Sequence, residues 1–291
     1  MKRKYIKALI LIVFCLFFIA LILSWCKSSQ LEYVDFDESM QAQKYAHIIK
    51  RGAGENVYEI FKKVYEKNNF LRVKPEENIK IPRIIHQIWI QGNPPAEFTY
   101  VSDSWQKYHP SWRYVLWTDK EIKKLKYLPH DLYDAAVNYG EKSDIARYAI
   151  LYEYGGLYAD FDEECLQACD ALHYRYDFYI GIQPLDTNTV QVGIGIIGAV
   201  PGHPLLKYVI DSLHNAHHIP QIVAKTGPIF FTYVFCSVIF NISGINIALP
   251  ASYFYPRGYT QNADKRIWQK PESLAVHHWA GSWLKKEAFV H

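Results

Sequence analysis

The most regular feature of the chain is an unbroken apolar run from Ala8 to Leu23, ALILIVFCLFFIALIL, extended through Ser24, Trp25 and Cys26. A membrane-crossing helix needs about 20 such residues, so the pattern predicts one transmembrane helix. Lys2, Arg3, Lys4 and Lys7 precede it and only Lys27 follows closely, which places the N-terminus in the cytoplasm and the remaining chain across the membrane. No A-x-A-like cleavage site follows, so residues 1–26 read as a tail and uncleaved signal anchor of a single-pass type II protein. Residues 27–79 are mixed in charge and hold one amphipathic stretch, ENVYEIFKKVYEKNNF, with Val57, Ile60, Phe61, Val64 and Tyr65 at helical spacing. This segment reads as a stem.

After Pro82 the pattern changes. RIIHQIWI is a short apolar run ended by Gly92, Asn93 and two prolines, which suits a buried strand and a loop, and WRYVLWTD repeats it. In SDIARYAILYEYGG, Ile145, Tyr148, Ala149 and Tyr152 share one helical face, with Ser143 as N-cap and Gly155 and Gly156 as the stop. A strand, LYADFDEE, follows at once. FYIGI, VGIGIIGAV, INIAL and SLAVHH read as further strands, and PLLKYVIDSLHNAH and PIFFTYVFCSVIF as helices. Strands alternating with helices predict an α/β domain with a mostly parallel sheet over residues 80–291, and ligands of such sheets bind beyond the carboxyl ends of the strands.

Composition narrows the class further. With 291 residues, 50% apolar, 21% charged and 16% aromatic, the chain is neither disordered, collagenous nor a coiled coil. The net charge of +3 is accounted for by the basic residues ahead of the apolar run, so the body lacks the basic excess that a nucleic-acid partner requires. Cys165, Cys169 and Cys236 make no disulfide framework. The C-x3-C pair is open to chelation or bridging, although ordinary semi-buried thiols are the expectation because no second pair completes a tetrahedral site. Asn241 heads an Asn-x-Ser sequon at the end of an apolar run, where poor accessibility is expected.

The candidate chemistry centres on Asp160-Phe161-Asp162. Strand alternation turns both carboxylates to one side, where two hard oxygen ligands suit Mg2+ or Mn2+ and leave positions open for a phosphorylated substrate. Taken alone, the tripeptide reads equally as a solvated acidic strand end continued by Glu163 and Glu164. Asp144 and Arg147 lie at i and i+3 on one helical face, as a site pair or as a surface ion pair. His277 and His278 point to opposite faces of their strand, so only one can enter a site. Trp89 is either core or a wall for an aromatic ligand, and Thr226-Gly227-Pro228 heads a helix whose free N–H groups suit an anion or a hydroxyl. A phosphohydrolase using D-x-D as nucleophile and acid is disfavoured, because no downstream Gly-Asp-x3-Asp supplies further metal ligands.

The stretch KSDIARYAILYEYGGLYADFDEECLQACDAL resembles the DXD-containing sugar-transferase family of initiating α-1,6-mannosyltransferases, inositol phosphorylceramide mannosyltransferases and bacterial capsular sugar transferases. The likeness extends over about residues 81–284 through IPRIIHQIWI, YVLWTD, GAVPGHP, TGP and VHHWAGSW. It implies a GT-A fold, a single Rossmann-like domain that uses a nucleotide sugar and a divalent metal, usually Mn2+. By the same resemblance Asp160 faces the donor ribose and sugar, and Asp162 ligates the metal with Asp160 and His277. Asp144 and Arg147 match an S-D-x-x-R pattern and reach sugar or phosphate oxygens. Trp89 flanks the base, and Ser282 and Trp283 close over the phosphates. The implied reaction is retaining transfer of a hexose, first mannose from GDP-mannose, to a glycolipid or glycan acceptor in the Golgi or ER lumen if the source is eukaryotic. The alternatives are a UDP-sugar transferase or a non-catalytic lectin-like protein of the same fold. One departure stands out: relatives often carry Asn or Asn-Asp just before the segment matching GAVPGHP, whereas this chain has Gly193-Ile194-Gly195-Ile196-Ile197.

Overall fold

A computed structural model describes residues 31–260 and 264–281. The expected anchor, residues 1–26, and Ser282 and Trp283 lie outside the described residues. Among those described, no helix is long and apolar enough to cross a membrane.

Eight strands form among the described residues: β1 (Ile84–Ile88), β2 (Arg113–Trp117), β3 (Gly156–Ala159), β4 (Glu163–Cys165), β5 (Phe178–Ile182), β6 (Val192–Ala199), β7 (Asn246–Leu249) and β8 (Ala275–His277). Six make one sheet in the order β2-β1-β3-β6-β5-β7. Neighbours pair in parallel except at β6, which runs against both β3 and β5, so the expected mostly parallel sheet has one reversed strand. Its inner strands β3, β5 and β6 and the edge strand β7 are buried along their whole length, which is why they read as continuous apolar runs and not as alternating ones. β4 and β8 pair antiparallel as a separate ribbon, with Glu163 opposite His277.

Five longer helices cover the sheet: α1 (Gly54–Asn68), α2 (Thr99–Tyr108), α3 (Tyr139–Tyr154), α4 (Pro204–Ala216) and α5 (Pro228–Val238). α3 starts one turn earlier than the Ser143 cap suggests. Asn138 caps it instead, accepting from the Gly140 N–H at 2.7 Å, since Asn is as good a cap as Ser. It stops at Gly155, as expected, where φ is 61°. Every residue from Asp144 to Leu151 is buried, so this helix has no solvated side along its middle.

Two further readings are corrected. LYADFDEE is not one strand: β3 ends at Ala159, residues 160–162 turn, and β4 begins at Glu163. The segment expected to be a stem also does not stand apart from the domain. Phe36, Met40, Phe61 and Tyr65 belong to the same core as the sheet, α1 packs on β7, and Phe61 meets Phe235 edge-on at 5.8 Å. The amphipathic pattern of α1 is the signature of a helix laid on a core, and the core it covers is that of the sheet.

Phe61 therefore tests how far the domain extends. It is fully buried, so Phe61→Ala should cost about 3–5 kcal/mol of folding stability. Denaturant unfolding measures this, and a loss below ~1 kcal/mol would place α1 outside the cooperative core.

Candidate active site

The site forms where three elements meet beyond the sheet: the buried centre of α3, the turn after β3, and β6. Arg147 is the junction. Its Nη2 lies 2.9 Å from Asp144 Oδ1, and its Nη1 lies 3.2 Å and 3.3 Å from the two oxygens of Asp160. Nη1 also donates to the Ile194 carbonyl at 2.8 Å, and Nε to the Ser143 carbonyl at 3.2 Å. The Tyr158 ring underlies the guanidinium at 4.6 Å, and its hydroxyl donates to Asp160 Oδ1 at 2.6 Å. Arg147 is only 4% exposed. The surface ion pair is thereby excluded: the guanidinium is held by protein groups on three elements at the edge of the cavity it lines.

Burial sets the electrostatics of this group. Out of water, the Asp144 carboxyl is pushed up to about 7, because the Arg147 charge offsets its burial only in part. The Thr226 hydroxyl donates to Asp144 Oδ2 at 3.0 Å, so that hydroxyl serves the helix-start TGP segment as a strut. Burial also disfavours the charge on Arg147, yet Asp160, Tyr158 and Asp144 hold its pKa above the ordinary value.

The two carboxylates of the D-x-D do not share a direction. The turn sends Asp160 inward to Arg147 and Tyr158, whereas Asp162 faces the β4–β8 ribbon. There Oδ2 accepts from the Ala280 N–H at 2.9 Å and lies 3.2 Å from His277 Nε2. His278 turns the other way, to Glu164 Oε2 at 2.9 Å, so one imidazole enters the site, as alternation predicts. The His277 ring also packs edge-on against Trp279 at 4.2 Å. Burial works against both charges of the Asp162–His277 pair, and mutual attraction overrides it. Asp162 falls to about 2 and His277 rises to about 9.

Sequence reasoning missed Glu163. Expected as part of a solvated acidic end, it is fully buried, and neither carboxylate oxygen makes a hydrogen bond. Burial pushes its pKa well above the carboxylate range. The available signal was alternation, since adjacent acids on a strand cannot both face water when one side of the ribbon closes a site.

These groups line a cavity of about 630 Å3. Trp89 sits half-buried at its edge, with its ring 5.1 Å from Phe161 and its Nε1 donating to the Gln91 carbonyl at 2.7 Å; it is not core. Pro228 of the TGP segment also lines the cavity. Among the described residues, no group of three or more His, Cys, Asp or Glu side chains is arranged to hold a metal unaided. What faces the cavity at Asp162 is nonetheless a carboxylate beside an imidazole whose Nδ1 is buried without a partner. Such a donor set fits Mg2+ or Mn2+ completed by substrate oxygens. Cys165 and Cys169 are free, buried thiols, and Asn241 is exposed, contrary to expectation.

Residues 95–179 match the model of the glycosyltransferase sugar-binding region containing DXD motif. The chain is 31% identical over 230 residues to inositol phosphoceramide mannosyltransferase 1 of Schizosaccharomyces pombe, covering 74% of this chain and 66% of that protein. It belongs to the DXD-containing glycosyltransferase family. Mannosyl phosphorylinositol ceramide synthase SUR1 of Saccharomyces cerevisiae is 33% identical over 165 residues, or 53% of this chain and 41% of that protein. The chain thus spans about two-thirds or less of the length of these curated relatives. Among solved structures, the PaToxG glycosyltransferase superposes with a TM-score of 0.48 over 68% of this chain and 80% of that chain, at 18% identity. The matched family segment contains the Asp144–Arg147 helix and the DXD turn, but not His277.

Two outcomes follow from these pairs. Arg147→Lys keeps the charge but cannot bridge two carboxylates and two carbonyls, so it should cost about 2–4 kcal/mol of stability where an exposed pair would cost about 0–1. A thermal melt unchanged from wild type would contradict the bridging role. For the metal-free protein, His277 holds its proton more tightly when folded than its ordinary value of 6.5 allows. Its stabilisation is therefore complete below pH 6.5 and lost as pH rises through about 9. Both side chains of the pair are 16% exposed, and water limits the effect to on the order of 1–3 kcal/mol. The melting temperature should fall between those pH values, and His277→Gln should flatten the fall; an equal fall in the variant would assign it to other groups.

Proposed function

We propose that this chain is a metal-dependent, retaining hexosyltransferase of GT-A type. In this reading residues 1–26 anchor it with the body in the secretory lumen, and it moves mannose from GDP-mannose to a glycolipid, forming an α-linkage. The observation that carries the reading is the DXD turn at the cavity, with Asp160 locked by the Asp144–Arg147 bridge and Asp162 held beside His277. The two relatives, a mannosyltransferase and a mannosyl phosphorylinositol ceramide synthase by name, support mannose as the transferred sugar and inositol phosphoceramide as the acceptor as first candidates.

The residues divide the work. Trp89 and Phe161, ring against ring, offer an apolar slot to the base at one end of the cavity. Asp162 and His277, the latter once it has given up its proton, would hold the cation, with Asp160 turned to the donor ribose and sugar. When bound, Mn2+ or Mg2+ supplies neutralisation of the charge that builds on the departing diphosphate. Asp160, fixed by Arg147 and Tyr158, orients the sugar without rearranging during the reaction, which is the advantage of a preorganised site. Asp144, held between Arg147 and the Thr226 hydroxyl, fixes the guanidinium that in turn locks Asp160. Attack by the acceptor hydroxyl takes place on the face that the diphosphate leaves.

Asp162→Asn should abolish transfer while leaving the melting temperature within a few degrees, and chelator should inactivate the wild type until Mn2+ is restored. Incubation with GDP- and UDP-sugars, read by mass spectrometry of the acceptor, identifies the donor. Undiminished transfer in chelator would remove the metal, and no transfer from any nucleotide sugar would remove the enzyme.

A further inference from the structure

Among the described residues, eight buried side-chain atoms lack a hydrogen-bond partner, and five of them belong to residues that line the cavity: Glu163 Oε1 and Oε2, Tyr255 OH, Gln191 Oε1 and His277 Nδ1. A folded chain rarely leaves buried polar atoms unmet, so such a concentration marks a place where partners arrive with a ligand. The Gln191 amide is oriented by its Nε2, which donates to Gln183 Oε1 at 2.6 Å, leaving its own oxygen as an acceptor. The Tyr255 hydroxyl is a near neighbour of Glu163, within loose reach of its carboxyl but short of full hydrogen-bond geometry. An amide oxygen only accepts, whereas a phenol and a carboxyl kept protonated by burial both donate and accept. The class of ligand that meets all of them is one bearing several neighbouring hydroxyl groups.

β6 explains how Glu163 reaches this position. A Cβ at Gly195 would lie 2.6 Å from Glu163 Oε1 and 3.1 Å from Asp160 Oδ2, and one at Gly193 would lie 2.3 Å from the Tyr255 hydroxyl. From 193 to 197 this strand carries no polar side chain. Its glycines instead leave room through which a carboxylate from β4 and a phenol from the loop after β7 face the same space as Asp160.

We propose that Glu163, with the Tyr255 hydroxyl and the Gln191 amide oxygen, forms the subsite that receives the hydroxyl groups of the transferred hexose and so decides which hexose is accepted. This rests on the nucleotide-sugar reading above and adds a residue that reads the sugar. Glu163 donates to and accepts from hydroxyls, the glycines of β6 hold the space open, and the paired groups Asp160 and Asp162 are left to their own tasks.

Calorimetry on the full chain in detergent with Mn2+ tests it, using GDP and UDP alone and two epimeric pairs, GDP-mannose with GDP-glucose and UDP-galactose with UDP-glucose. The wild type should prefer one epimer. Glu163→Gln should lose that preference by roughly 5- to 100-fold, the effect of leaving a buried polar group unmet, while binding the bare nucleoside diphosphate within twofold of wild type. Gly195→Ala, which crowds Glu163 without removing it, should lose preference in the same direction. It also keeps the test open if Glu163→Gln fails to fold. Epimer preference retained in the variants, or no preference in the wild type, would overturn the subsite. Parallel loss of nucleoside diphosphate and Mn2+ binding in Glu163→Gln would overturn it too, by making Glu163 a cation ligand. A wild type that binds neither GDP nor UDP would strike the nucleotide-sugar reading itself, and the subsite with it.

Discussion

Arg147 is the residue on which the rest of the site depends. A guanidinium at 4% exposure is tolerable only because two carboxylates and two carbonyls surround it. Each of these partners belongs to an element that must be in place for the others: α3 supplies Ser143, Asp144 and Arg147, the turn after β3 supplies Asp160, and β6 supplies Ile194. Taking one partner away leaves an uncompensated buried charge, which is far costlier than losing a surface pair. The bridge therefore ties helix, turn and reversed strand into one arrangement. The sheet order β3-β6 sets the β6 carbonyls within reach of the α3 side chains.

This closed inner network contrasts with the outer half of the site. Around Arg147 the named donors and acceptors are matched within the protein. At Glu163, Tyr255, Gln191 and His277 they are not. Preorganisation and ligand capture make opposite demands on polar atoms: a group that must stay still is best satisfied by its neighbours, and a group that must bind is best left wanting a partner. Both kinds occur here within one cavity, with Asp160 on the satisfied side and Glu163 just across Gly195 from it.

Much of the framework was legible in the chain. Unbroken apolar runs ending in Gly or Pro located the buried strands, α1 followed from Val57, Ile60, Phe61, Val64 and Tyr65, and Gly155 marked the end of α3. The single inward-facing His of the 277–278 pair followed from alternation alone. What failed did so for identifiable reasons. Ser143 and Asn138 are both competent caps, and only tertiary packing selects between them. Local periodicity shows that α1 has an apolar face but not whose core that face meets, so the segment looked like a stem. The D-x-D reads as strand because it continues the run that opens at Leu157, whereas three residues of turn are needed to swing Asp160 and Asp162 towards different partners.

Glu163 shows the same limit in its sharpest form. Two adjacent acids at the end of an apolar strand have the composition of a solvated edge, and nothing local separates them. Their fates diverge because β8, more than a hundred residues later in sequence, pairs with β4 and covers one side of it, setting His277 opposite Glu163 while His278 turns to Glu164. A carboxylate closed in this way cannot be relieved by water, and the fold supplies no hydrogen bond in exchange. An acid kept so at a structural cost, in a cavity whose neighbouring strand carries glycine at 193 and 195 where it approaches Tyr255 and that acid, is better explained by what enters the cavity than by anything it does for the fold.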